Sequence, residues 1–223
     1  MSEHPTIAWL HEALREAYGL QDAWWPAESP FEVCVGAILV QNTTWQQVTR
    51  AIANVKAAGA LDPHAILTLP PEAIEDLVRP SGTFRQKARR LEVFSRHIIT
   101  CWDGNLDAML AQGGRSLRAE LLGIWGIGEE TADAITLFAA RQPAFIVDAY
   151  TTRIVRRLGL VAEGETRHDI RCLFTDALPH DAGIMRAMHA LLVTHARTHC
   201  RAMPLCTGCP LAARCDYWKE HVA

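Results

Sequence analysis

Apolar residues recur at intervals of three and four along almost the whole chain. Ile7, Leu10, Leu14 and Tyr18 keep this spacing, as do Trp45, Val48, Ile52 and Val55, and then Leu91, Phe94, Ile98 and Cys101. The second half repeats it with Ile154, Val155 and Leu158, with Ile170, Leu173 and Phe174, and with Ile184, Met188, Leu191 and Leu192. Alternation of period two is almost absent. Pro70-Pro71, Pro80-Ser81-Gly82, Gly113-Gly114, Pro143 and Pro179 fall between the periodic stretches and punctuate them. The pattern predicts an all-α protein. Val33 to Val40 is a continuous apolar run whose β-branched residues would suit a strand, but no second strand is in sight to pair with it, so it predicts a buried helix.

Composition narrows the class. The chain has 223 residues, 49% hydrophobic and 21% charged, which is globular and excludes disorder, collagen and coiled coil. The longest apolar run is far short of the ~18 residues that span a bilayer. Residues Met1 to Pro5 show no basic run leading into an apolar core, so the expectation is no leader, a cytoplasmic location and free thiols. The net charge of -3 averages two unlike regions. Residues 1 to 32 hold six acids and one arginine, and the remainder sums to +2. Basic residues gather at Arg85, Lys87, Arg89, Arg90 and Arg96, and again as four arginines with no acid between 186 and 215. Such runs describe a solvated helix face as readily as a nucleic-acid contact.

Three motifs carry chemistry. Gly126-Ile127-Gly128 falls between two periodic stretches, where glycines let the chain turn tightly and aim backbone N–H groups outward at a phosphate, or simply join two packed helices. Asp148 follows the apolar run Phe145-Ile146-Val147, which suits a helix N-cap and equally an ionised carboxylate held ready to stabilise a cation or orient water. Cys200, Cys206, Cys209 and Cys215 place four thiols within sixteen residues, which fits tetrahedral zinc or a cubane iron–sulfur cluster. His189, His195 and His199 read as packing or surface residues, since four cysteines complete such a site.

Taken in order, Leu122 to Ala132, Val147-Asp148 and the cysteine loop resemble the endonuclease III-like helix-hairpin-helix DNA glycosylases, over roughly residues 24 to 218, and Gly82 to Ala88 resembles the loop that precedes the hairpin in that family. The resemblance implies a two-lobed all-α fold, with residues 28–141 as a helical barrel ending in the hairpin, residues 1–27 and 142–223 as the second lobe, and duplex DNA between them. It implies that Gln41, Gly126, Ile127, Gly128 and Thr131 meet the DNA, that Asp148 is catalytic, and that the four cysteines hold a [4Fe-4S] cluster. Ala196 stands where the family usually has glycine, and the first cysteine spacer is one residue short. At the position of the family's lyase lysine stands Glu130, which cannot form an imine, so the expectation is a monofunctional glycosylase without AP lyase activity, and the protein is separately expected to be a monomer. Trp24-Trp25-Pro26, the Gln41 segment and Asp148-Ala149-Tyr150 resemble the alkylpurine branch that removes bases such as 3-methyladenine. A cationic purine is a good leaving group that an aromatic sandwich can select, and Trp25 and Trp45, with Trp24 beside them, are the expected base pocket. The alternatives are excision of damaged or mismatched pyrimidines or of mispaired adenine, and a non-catalytic metal-containing DNA-binding module.

Overall fold

A computed structural model describes residues 5–20 and 24–222. The first four residues, on which the expectation of no leader rests, lie outside it. Among the described residues there is no strand, and no helix is long and apolar enough to cross a membrane. In chain order the helices are α1 (Ile7–Tyr18), α2 (Pro30–Leu39), α3 (Trp45–Ala57), α4 (Pro63–Thr68), α5 (Pro71–Val78), α6 (Phe84–Trp102), α7 (Leu106–Leu110), α8 (Gly114–Gly123), α9 (Glu129–Ala134), α10 (Ala149–Arg157), α11 (Arg167–Ala177), α12 (Ala182–Thr198) and α13 (Asp216–His221). They divide into two compact units, Trp25–Gln142 and Met1–Trp24 with Pro143–Ala223.

The unit of Trp25–Gln142 is built around α2. Pro30 starts this helix, Ser29 caps it by accepting the Glu32 N–H, and all nine residues from Phe31 to Leu39 are buried. The apolar run is therefore the buried helix that its composition predicts, with α3, α6, α7 and α9 packed against it. Glu32 is the one acid on α2, and it is satisfied by the Glu28 N–H and by the Lys56 ammonium at 2.9 Å. From α9 the chain continues into a π turn at Ile135–Ala139, where the Ala140 N–H reaches back to the Ile135 carbonyl. This wider turn places Phe138 beside Trp25, with ring centroids 4.9 Å apart.

The periodic stripes hold with two corrections. On α6, Leu91, Phe94 and Ile98 are wholly buried, but Cys101 at the end of that stripe is exposed, because the helix outruns the core. The basic run at 84 to 96 is not one solvated face. Lys87 is wholly buried and donates to the Ser81 carbonyl, so it closes the loop before α6, and burial lowers its pKa to about 8.

In the other unit, α12 packs against α1 and α10, and α1 also meets α11. Phe145 and Phe174 stack at 4.0 Å in its core. The hydroxyl of Thr166 and the carboxylate of Asp169 form a reciprocal cap at the start of α11.

Candidate active site

The hairpin belongs to the first unit. The backbone turns after α8 because Gly126 adopts φ +85°, a conformation that L side chains rarely take, and because a Cβ there would lie 2.5 Å from Arg90 Cγ. Ile127 is buried and its N–H returns to the Ile124 carbonyl, while Gly128 stands just before α9 and accepts the Ala132 N–H. Nothing crowds Gly128, so its glycine is explained by neither strain nor close packing. Trp125 is 49% exposed and lies under the Arg89 guanidinium at 4.5 Å. Sequence reading passed over this pair. The available signal was a tryptophan between glycines, where no helical stripe could bury it.

The structure brings Gln41, Gly126 and Thr131 together. Gln41 Nε2 donates to Thr131 Oγ1 at 3.0 Å and approaches the Gly126 carbonyl at 3.4 Å. Trp25 and Trp45 also meet, but not as a sandwich. Their centroids are 4.9 Å apart at 72°, edge to face, and a Cβ on Gly36 would touch the Trp25 ring at 3.1 Å. The two rings and Phe138 form an aromatic corner with no slot between them. Trp24 is half-buried and takes no part in these ring contacts.

The second unit holds Asp148. It caps α10, with Oδ1 accepting the Thr151 N–H at 2.7 Å, while its carbonyl accepts the Thr152 hydroxyl at 2.9 Å. One carboxylate oxygen is thereby fixed, and the side chain remains half-buried rather than sealed. His189 on α12 is buried near it; burial lowers the imidazole pKa, with the Asp148 charge acting in the opposite sense. The reading of His189 as plain packing therefore omitted a neighbour of Asp148.

The four cysteines line one cavity in this unit, with Leu158, His195 and Tyr217 among its other walls. Burial raises the Cys209 and Cys215 thiols, so holding them as thiolates requires a positively charged partner. The surroundings supply donors to sulfur. Arg157 Nη1 lies 3.4 Å from Cys200 Sγ, and His195 Nε2 lies 3.9 Å from Cys209 Sγ. His195 is 2% exposed and packed against the cysteine loop, a packing residue as the sequence suggested. Two arginines one turn apart on α10 hold the loop's backbone: Arg153 donates to the Cys200 carbonyl, and Arg157 donates to the carbonyls of Arg201 and Ala202. The helix that Asp148 caps is thus the helix that anchors the cysteines. Arg214, one of the four arginines between 186 and 215, lies over the Trp9 ring at 5.0 Å.

A glycine hairpin between α8 and α9 on an all-α fold is the architecture of a helix-hairpin-helix protein. The profile of the HhH-GPD superfamily base excision DNA repair proteins matches residues 35–180, and the chain belongs to that superfamily of DNA glycosylases. A Methanocaldococcus jannaschii protein provisionally named a DNA repair glycosylase is 41% identical over 208 residues, covering 92% of this chain and 94% of its own. A thymine-DNA glycosylase of Aeropyrum pernix is 27% identical over 209 residues, covering 91% and 90%. Among solved structures, a trapped endonuclease III–DNA covalent intermediate shares the fold with a TM-score of 0.85, 22% identity and 97% coverage of each chain. A Helicobacter pylori 3-methyladenine DNA glycosylase bound to 1,N6-ethenoadenine has a TM-score of 0.74 at 25% identity, covering 84% of this chain and 95% of its own.

Proposed function

We propose that this protein is a monofunctional glycosylase of damaged duplex DNA that hydrolyses the N-glycosidic bond of a flipped base, with alkylated purines such as 3-methyladenine favoured. The observation that carries the reading is Asp148, a carboxylate with one oxygen pinned at the N-terminus of α10. In that role its charge stabilises the oxocarbenium-like sugar as the base departs and orients the water that adds at the anomeric carbon, the bond to the base breaking as the base leaves with its electron pair. In the turn of Gly126, Ile127 and Gly128, with Thr131 behind it, the Ile127 N–H is returned to Ile124 and the Thr131 hydroxyl is held by Gln41, so the glycine backbone is what faces phosphate and grips DNA without reading sequence. Gln41 fills the space of the flipped base, and the corner of Trp25 and Trp45 stacks on the base itself.

Absence of lyase activity is supported by the fate of every lysine. The chain has three. Lys56 pairs with Glu28 and Glu32, Lys219 pairs with Asp216, and Lys87, whose lowered pKa would make it the best nucleophile, is wholly buried on a carbonyl. Glu130 cannot replace them. Cys200, Cys206, Cys209 and Cys215 fit a [4Fe-4S] cluster in that four thiols line one cavity with the Arg157 guanidinium donating to sulfur beside them. The cluster would supply the positive charge that keeps those thiolates ionised and would tie the loop to α10. The thymine-DNA glycosylase relative favours a second reading, in which a mismatched pyrimidine is the substrate.

The test is a panel of lesion duplexes, each read with and without alkali and with borohydride. Alkylated purine released only as an abasic site, with no trapped adduct, is the expected result. A preference for mismatched thymine would install the second reading, and a borohydride adduct would refute the monofunctional assignment.

A further inference from the structure

Gln41 leaves the end of α2 with its amide held from several sides. From α6, Arg90 Nη1 donates to Oε1 at 2.5 Å, while Nε2 donates to Thr131 Oγ1 and faces the Gly126 carbonyl. A guanidinium can only donate and a carbonyl can only accept, so this orientation of the amide is the one that both neighbours allow. Turned over, Gln41 would set its NH2 group against the guanidinium and its oxygen against the Gly126 carbonyl. The aliphatic stem of the same arginine lies on Gly126, where even one added carbon would lie 2.5 Å from Cγ. One side chain therefore holds the hairpin glycine with its stem and Gln41 with its head. Its neighbour Arg89 is occupied differently, over Trp125.

We propose that Arg90 is a positioning residue, which locks the Gln41 amide to the hairpin in one orientation, so that hairpin and Gln41 enter the duplex as a single preformed unit. The inference rests on the reading of Gln41 and the hairpin as DNA contacts. It assigns Arg90 a role distinct from phosphate binding: its guanidinium works through Gln41, and the cost of losing it vanishes once Gln41 is gone.

A double-mutant cycle tests this directly. Wild type, Gln41→Ala, Arg90→Met and the double variant are titrated with a duplex carrying a tetrahydrofuran abasic-site analogue beside 2-aminopurine, and with the undamaged duplex. The readouts are the lesion-dependent fluorescence rise and the ratio of affinities for the two duplexes. Methionine keeps apolar bulk over Gly126 and removes the donors. Both single variants should lose about tenfold in discrimination, the size expected for a hydrogen bond to a charged group, and the double variant should lose no more than Gln41→Ala alone. If the two losses multiply, or if Arg90→Met matches wild type while Gln41→Ala does not, the positioning role is refuted and the DNA reading of Gln41 survives. If Gln41→Ala changes nothing, both fall together. Arg90→Lys keeps the charge on a shorter, non-planar head and serves where Arg90→Met does not fold: discrimination should fall with it, and full retention would show that charge alone suffices.

Discussion

Asp148 has a structural and a chemical role that substitution can separate. As the N-cap of α10 it accepts the Thr151 N–H at 2.7 Å, and asparagine caps a helix as well as aspartate does. Asp148→Asn should therefore cost at most a few tenths of a kcal/mol in stability, whereas Asp148→Ala loses the cap and about 1 kcal/mol. In a chain of this size 1 kcal/mol moves Tm by roughly 2–4 °C, so the two variants should be resolved by thermal unfolding. Base release should respond in another pattern. Both variants remove the negative charge facing the developing sugar cation, and both should slow single-turnover release by about 10²–10³-fold. The assay is cleavage of an end-labelled duplex containing an alkylated purine, treated with alkali after quenching, with protein in excess so that binding does not limit the rate. Wild-type release by a folded Asp148→Asn would refute the catalytic role of the carboxylate. A loss seen in Asp148→Ala alone would reduce Asp148 to a cap.

Four further outcomes are expected. Replacing Trp25 or Trp45 by alanine should weaken excision of alkylated purine more than binding to an abasic-site duplex, and unchanged rates for both would return the rings to the core. Gly126→Ala forces a side chain into a left-handed conformation against Arg90, so it should lower Tm by several degrees and weaken duplex binding, read by calorimetry and anisotropy. Purified protein should be yellow-brown with broad visible absorbance that Cys206→Ser abolishes along with several degrees of Tm, and a colourless protein carrying stoichiometric zinc would overturn the cluster. Lys87 gives a pH test. Its folded pKa of about 8 lies below the usual 10.5, so the fold bears the cost of a buried ammonium below pH 8 and is relieved of it as pH rises from 8 to 10.5. Urea midpoints of wild type relative to Lys87→Met should therefore rise across that window, and a constant difference would show that Lys87 carries no such linkage.

The sequence alone determined what periodicity and local chemistry can encode. Helical spacing marked the buried faces of α1, α3, α10 and α12, the absence of any partner strand made Val33 to Val40 a helix, and Asp148 was legible as a cap because capping is a contact three residues long. The superfamily was legible from motifs in order. What the sequence left undecided depends on contacts between residues far apart in the chain. Arg90 looked like one more charge in a basic run, and only the folded chain sets it against Gln41, forty-nine positions away. Lys87 looked solvated and is buried; Cys101 looked buried and is exposed, since one-dimensional spacing says which face a residue occupies but not where the neighbouring helices stop. Ring geometry is the sharpest case. Two tryptophans twenty residues apart could stack, sandwich or meet edge to face, and the choice was made by the packing of Trp25 on Gly36 and by the π turn that brings Phe138 against it.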